Sequence, residues 1–134
     1  MRVVIDTNVF ISGLFWMGAP NSILELWKKR LIQNITSEMI INEINTVLKS
    51  KHINVPEELR VEIVELVVSN SIIVYPTKII RVSRDITDNK FIEAAIEGKA
   101  EYVISGDKDL LSLKEYGNIV FISPTDFLKK YYCK

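Results

Sequence analysis

Short β-branched runs alternate with longer stretches of helical period along nearly the whole chain. RVVI (2–5), IQNI (32–35), SIIVY (71–75), EYVIS (101–105) and NIVFI (118–122) read as strands, brief apolar runs mostly flanked by turn-forming or capping residues. Between them, apolar residues recur three and four apart. NVFISGLFW (8–16) predicts a short helix capped by Thr7 or Asn8. Pro20 suits the first turn of PNSILELWKKRL, whose Ile23, Leu24, Trp27 and Leu31 share one face. TSEM offers a cap for a third helix over about 37–49, and Pro-Glu-Glu opens a fourth from Pro56 to Ser69. TDNKFIEAAIEGK predicts a fifth helix, stopped by Gly98. GDKDLLSLKEYG reads as a turn and short helix, and SPTDFLKKYY as a closing helix.

This order predicts an α/β fold: three layers, α/β/α, around a five-stranded, mostly parallel sheet, as a single domain over residues 1–134. In such sheets ligands bind beyond the carboxyl ends of the strands. That edge directs the search for chemistry, and four acids can reach it. Asp6 follows the first strand directly. Asp107 follows the fourth, after Gly106, which permits a tight turn. Asp88 opens the fifth helix on the stripe continued by Phe91, Ile92 and Ala95. Glu43 lies in the third helix, roughly 60–80° from the centre of the face made by Ile40, Ile44, Val47 and Leu48. It is the one charged residue of that helix near the core side.

Each acid has an ordinary explanation when taken singly. Asp6 can cap a helix, Glu43 can pair with a lysine, Asp88 can favour a helix dipole, and Asp107 can serve a turn. Their convergence on one edge is harder to explain that way. Clustered carboxylates repel, and oxygen-only ligands suit a hard cation such as Mg²⁺ or Mn²⁺. His52, the only histidine, sits just after the third helix, which argues against a histidine-built zinc site. Around the four acids stand possible supports. Asn8 can orient Asp6 or cap, Ser12 lies one turn further on, Ser105 precedes Asp107, and Asp109 starts the short helix. KIIRVSR (78–84) is a candidate phosphate-contacting strip leading to Asp88.

Charge and cysteine content narrow the picture. Seventeen basic residues balance seventeen acidic ones, so there is no global field for a polyanion. Binding nucleic acid then requires a local basic patch or a metal ion. Cys133, the single cysteine, leaves no internal disulfide and suits a reducing cytoplasm. The apolar stretch after Asp6 reads better as part of a strand and helix than as a signal peptide. No segment approaches the ~18 uninterrupted apolar residues of a membrane span.

VVIDTNVFIS, Glu43 in a mid-chain helix, DNKFIEAA (88–95) and SGDKDLL (105–111) together resemble the PIN domain, in the expected order over essentially the whole chain. The resemblance is strongest to the small stand-alone PIN proteins described as toxin components of bacterial and archaeal toxin–antitoxin pairs. It implies a Mg²⁺- or Mn²⁺-dependent, single-strand-selective ribonuclease. It places the family's acids, as catalytic residues and metal ligands, on Asp6, Glu43, Asp88 and Asp107. The supporting asparagine falls on Asn8, the hydroxyl before the last acid on Ser105, and a further acidic position on Asp109. It also implies RNA as substrate, a homodimer and a small antitoxin partner. The alternative is a catalytically weak PIN-like module that holds RNA or a protein. A haloacid-dehalogenase-type phosphatase fits less well, since it wants a second acid two residues after Asp6, where Asn8 stands. A receiver domain, with two acids after strand one, fits poorly too.

Overall fold

The computed structural model describes residues 1–133. Among them, six strands form one sheet in the order β3-β2-β1-β4-β6-β5. These are β1 (Arg2–Ile5), β2 (Gln33–Ser37), β3 (Ser71–Val74), β4 (Tyr102–Ile104), β5 (Glu115–Tyr116) and β6 (Ile119–Ile122). All neighbours pair in parallel except β5, which runs antiparallel to β6. The α/β fold and mostly parallel sheet follow the alternation in the sequence. The count is six strands where five are expected. Positive φ at Lys114 (60°) and Gly117 (59°) turns the chain back on itself, and Glu115 and Tyr116 pair with Val120 and Ile119. Two residues are too few to show an alternation, so nothing in SLKEYG announces a strand.

The central strands are buried on both faces. Val3, Val4 and Ile5 follow one another and so point alternately to opposite sides, yet all three are buried. Val103 and Ile104 repeat the pattern in β4. Each sheet face is therefore covered by helices, as parallel sheets require. The helices are α1 (Thr7–Phe15), α2 (Ala19–Lys28), α3 (Glu38–Leu48), α4 (Glu57–Asn70), α5 (Asn89–Glu97), α6 (Lys108–Leu111) and α7 (Pro124–Tyr132). A single 3₁₀ turn, Ile86–Asp88, precedes α5.

Three local departures from the sequence pattern have physical causes. The cap of α1 is Asp6, not Thr7 or Asn8, because its carboxylate accepts from the Asn8 amide at 2.8 Å. Helix α2 stops at Lys28, and Arg30 takes φ 62°, so Leu31 leaves the apolar face and is exposed. Asp88 closes the 3₁₀ turn and does not cap α5 through its side chain. Gly98 ends α5 as expected, but for reasons of space: its φ is −88°, and the positive φ (55°) falls on Lys99. A Cβ there would stand 2.4 Å from Ile35 Cγ2 on β2.

From β1 the chain moves outward to β2 and β3, then crosses back to β4 on the other side of β1. The strand order therefore reverses between β1 and β4, which opens a crevice beyond their carboxyl ends. Ile5 pairs with Ile104 in register. The residues that follow, Asp6 and Ser105, are thus delivered side by side.

Candidate functional site

Asp6 stands at the floor of that crevice. It is buried, and its backbone N–H donates to the Ile104 carbonyl at 3.0 Å. Its carboxylate accepts from the Asn8 amide and from the Ser105 hydroxyl. Ser105, wholly buried, in turn accepts from the Asp107 amide at 2.9 Å. Asp107 caps α6, its carboxylate accepting from the Asp109 amide at 2.8 Å. One chain of hydrogen bonds thus runs from the end of β1 to the start of α6 and sets the spacing of these acids. Burial raises the Asp6 carboxyl above its ordinary value. The Ser105 and Asn8 donors oppose that rise, while the charges of Glu43 and Asp107 add to it.

Asp88 arrives from the other direction, on the 3₁₀ turn. It is 7% exposed, and its Oδ2 is buried with no hydrogen-bond partner. Asp88, Asp107 and Asp109 each offer a carboxylate oxygen within 4.8 Å of the other two. Burial pushes the Asp88 carboxyl up to about 7, assisted by its contact with the Asp107 carboxylate and by the charges of Asp107, Asp85 and Asp6. An unpartnered oxygen beside two other carboxylates describes a place for a cation. The donors are all oxygens, which fits a hard divalent ion and not a thiophilic one.

Glu43 is differently engaged. Its Oε2 lies 2.7 Å from the Lys90 ammonium, with side chains 32% and 8% exposed respectively. Lys90 also donates to the Thr87 carbonyl and lies 4.8 Å from the Phe91 ring centroid. Its charge is therefore shared between α3 and the turn that presents Asp88. Glu43 still contributes to the field at Asp6, but a built-in cation answers its charge.

The supporting residues divide. Asn8 acts on Asp6 through its backbone N–H, and its side chain lines a cleft of about 280 Å³ together with Ser12, Gly106 and Asp107. Ser105 joins Asp6 to Asp107. Asp109 stands in the carboxylate trio, and its Oδ1 also holds Arg84 at 2.8 Å. Arg81, in the same connection, lines a largely apolar groove of about 750 Å³ with Met39, Ile80 and Ile86, which Glu43 and Lys90 also line. Sequence reasoning passed over Lys90. Its sole signal is a lysine two residues after Asp88, on a helix whose next residues, Phe91 and Ile92, are core.

Comparison with known proteins agrees with this architecture. The sequence profile described as "PIN domain" matches residues 2–109, a span that contains Asp6, Glu43, Asp88, Asp107 and Asp109. A protein of Methanocaldococcus jannaschii, named uncharacterized protein MJ1680, is 38% identical over 143 aligned positions, covering 98% of this chain and 92% of that protein. The fold is similar to that of a chain in the crystal structure of VapBC2 from Rickettsia felis bound to a DNA fragment from their promoter. That match has a TM-score of 0.60 and 15% identity, over 92% of this chain and 98% of the other. At that identity the likeness speaks for the fold. With sheet order, acidic crevice and sequence profile in agreement, the chain belongs to the PIN domain family.

Proposed function

We propose that this protein is a Mg²⁺- or Mn²⁺-dependent endoribonuclease that hydrolyses phosphodiester bonds of single-stranded RNA. The observation that carries the reading is Asp88 Oδ2, buried and unpartnered, next to the carboxylates of Asp107 and Asp109. Membership of the PIN family supports a nuclease, and the oxygen-only donor set supports a hard divalent metal.

In this reading Asp6, Asp88 and Asp107 are metal ligands, Asp109 joins them where it exchanges Arg84 for the ion, and Glu43 completes the acidic wall. A divalent cation held there supplies charge neutralisation and Lewis acidity at the scissile phosphate. The remaining work falls to the chain. The Ser105 hydroxyl holds one oxygen of Asp6, and the Asn8 N–H holds the other, so the carboxylate cannot rotate away. The Asp107 amide fixes Ser105, which couples the two strand ends. Lys90 holds Glu43 and the Thr87 carbonyl, keeping the turn that carries Asp88 in place. Asn8 and Ser12 line the adjoining cleft, where a strand of RNA next to the acids would meet their polar groups.

A toxin role within a toxin–antitoxin pair, cytoplasmic location, a homodimer and a small antitoxin partner belong to the same proposal. The fold likeness to a chain of the VapBC2 complex supports the antitoxin. The test is Mn²⁺-dependent cleavage of a short single-stranded RNA by pure protein. Wild type should cut, and Asp6→Asn and Asp88→Asn, though folded, should not. Cleavage at the wild-type rate by either variant removes that residue from the chemistry. RNA binding without cleavage in any divalent metal points to a binding module instead.

A further inference from the structure

Two cations stand at the acidic crevice, and they are held differently. Lys90 is buried, with its ammonium committed to Glu43 and to the Thr87 carbonyl. Arg84 is 76% exposed in its side chain, on the connection between β3 and the 3₁₀ turn. Its Nη2 lies 2.8 Å from Asp109 Oδ1. Asp109 belongs to the carboxylate trio, so the guanidinium rests on one rim of the group that fits a divalent cation. It does not satisfy the interior of that group, because Asp88 Oδ2 stays buried and unpartnered.

An ion pair this exposed is weak and readily exchanged. A cation entering between Asp88, Asp107 and Asp109 would compete with Arg84 for the last of them. The released guanidinium would then stand beside the reacting phosphodiester. Its planar, five-donor fork matches phosphate oxygens in a way that an ammonium does not.

Resting on the nuclease reading above, we propose that Arg84 is an exchangeable substrate-binding residue. It pairs with Asp109, and would pass to a phosphate of the RNA strand adjoining the scissile bond where a metal takes Asp109. The exchange links the two loadings. Metal binding frees the arginine, and the arginine then offers the polyanion a positive charge that the balanced net charge of the chain lacks.

The test uses the full chain as wild type, Arg84→Ala and Arg84→Lys, titrated calorimetrically with Mn²⁺ alone. Loss of the competing guanidinium should tighten Mn²⁺ binding by roughly two- to five-fold in Arg84→Ala. Steady-state cleavage of a short single-stranded RNA should show KM raised several-fold, with kcat within about two-fold of wild type. The slope of log KM against log salt should fall by about 0.7, the loss of one phosphate contact on a single strand. Arg84→Lys should recover part of the KM effect and not all of it. Unchanged or weaker Mn²⁺ binding by Arg84→Ala, beside normal cleavage by wild type, overturns this proposal alone. Wild-type protein that binds Mn²⁺ yet cuts no RNA overturns the nuclease reading and with it the phosphate half of the exchange.

Discussion

Lys90 Nζ and Glu43 Oε2 stand 2.7 Å apart, one side chain from the start of α5 and the other from the middle of α3. The pair ties α3 to the helix that follows the turn carrying Asp88. Replacing the buried ammonium by a methyl thioether of similar length leaves Glu43 facing Asp6 without a partner. Lys90→Met should therefore cost about 2 kcal/mol in urea unfolding, below the usual penalty for breaking a fully buried pair, because Glu43 keeps some access to water. Adding Glu43→Gln to Lys90→Met should restore part of that loss. Equal stability of Lys90→Met and wild type would show that the pair has no structural role.

Asp88 should make stability depend on pH. Its carboxyl is raised from the ordinary 3.8 to about 7, by burial first and then by Asp107. Between those values the folded chain holds a proton that the unfolded chain has released. The contribution of this group thus favours folding in acid, and is lost progressively as pH rises from about 4 through 7. In metal-free buffer, the difference in melting temperature between wild type and Asp88→Asn should shift in favour of the variant over that range. Mn²⁺ should reverse the trend, since it binds the ionised form and competes with the proton. A difference that stays constant with pH would place the Asp88 carboxyl near its ordinary value.

Ser105 is wholly buried and bridges Asp6 to the Asp107 amide. Ser105→Ala removes a donor to a buried carboxylate and an acceptor for the amide at once. A loss of about 1.5–3 kcal/mol in unfolding free energy is expected. Mn²⁺ affinity should fall as well, because Asp6 loses the hydrogen bond that fixes one oxygen and favours its ionised form. Chemical denaturation and Mn²⁺ titration of the same preparation check both. Wild-type Mn²⁺ affinity in Ser105→Ala would separate Asp6 from the metal.

Gly98 offers a control away from the acids. An added Cβ would stand 2.4 Å from Ile35 Cγ2, in a fully buried side chain of β2. Gly98→Ala should destabilise the fold by about 1–3 kcal/mol through overpacking. Mn²⁺ affinity per folded molecule should not change. A variant as stable as wild type would show that Ile35 has room to turn aside.

Most of the architecture was legible because buried parallel strands and amphipathic helices leave different periods. Val3, Val4 and Ile5 are core on both sides, and the run that predicts β1 says as much. Asp6, Asp88 and Asp107 were legible together, because three acids converging on the carboxyl edge of one sheet are harder to explain by separate ordinary roles than any of them is alone. Apart from the local β5–β6 hairpin, what escaped depends on contacts distant in sequence. β5 exists because two positive-φ residues reverse the chain onto β6. The partner of Glu43 is 47 residues away, on another helix. Asp109 read only as a supporting acid at the start of the short helix, yet it meets Asp88 and Asp107, because only the fold brings the 3₁₀ turn alongside α6. The reach of Arg84 across to Asp109 follows from the path of a connection without regular structure.

The most direct measurement is the anomalous scattering of crystals soaked in Mn²⁺. A peak coordinated by Asp88, Asp107 and Asp109, with Asp6 in its inner or water-bridged shell, is the expected result, and Asp88→Asn crystals should lose it. A fully soaked wild-type crystal with no peak between those carboxylates, or with Mn²⁺ held elsewhere on the chain, would contradict a metal-centred active site at the end of β1 and β4.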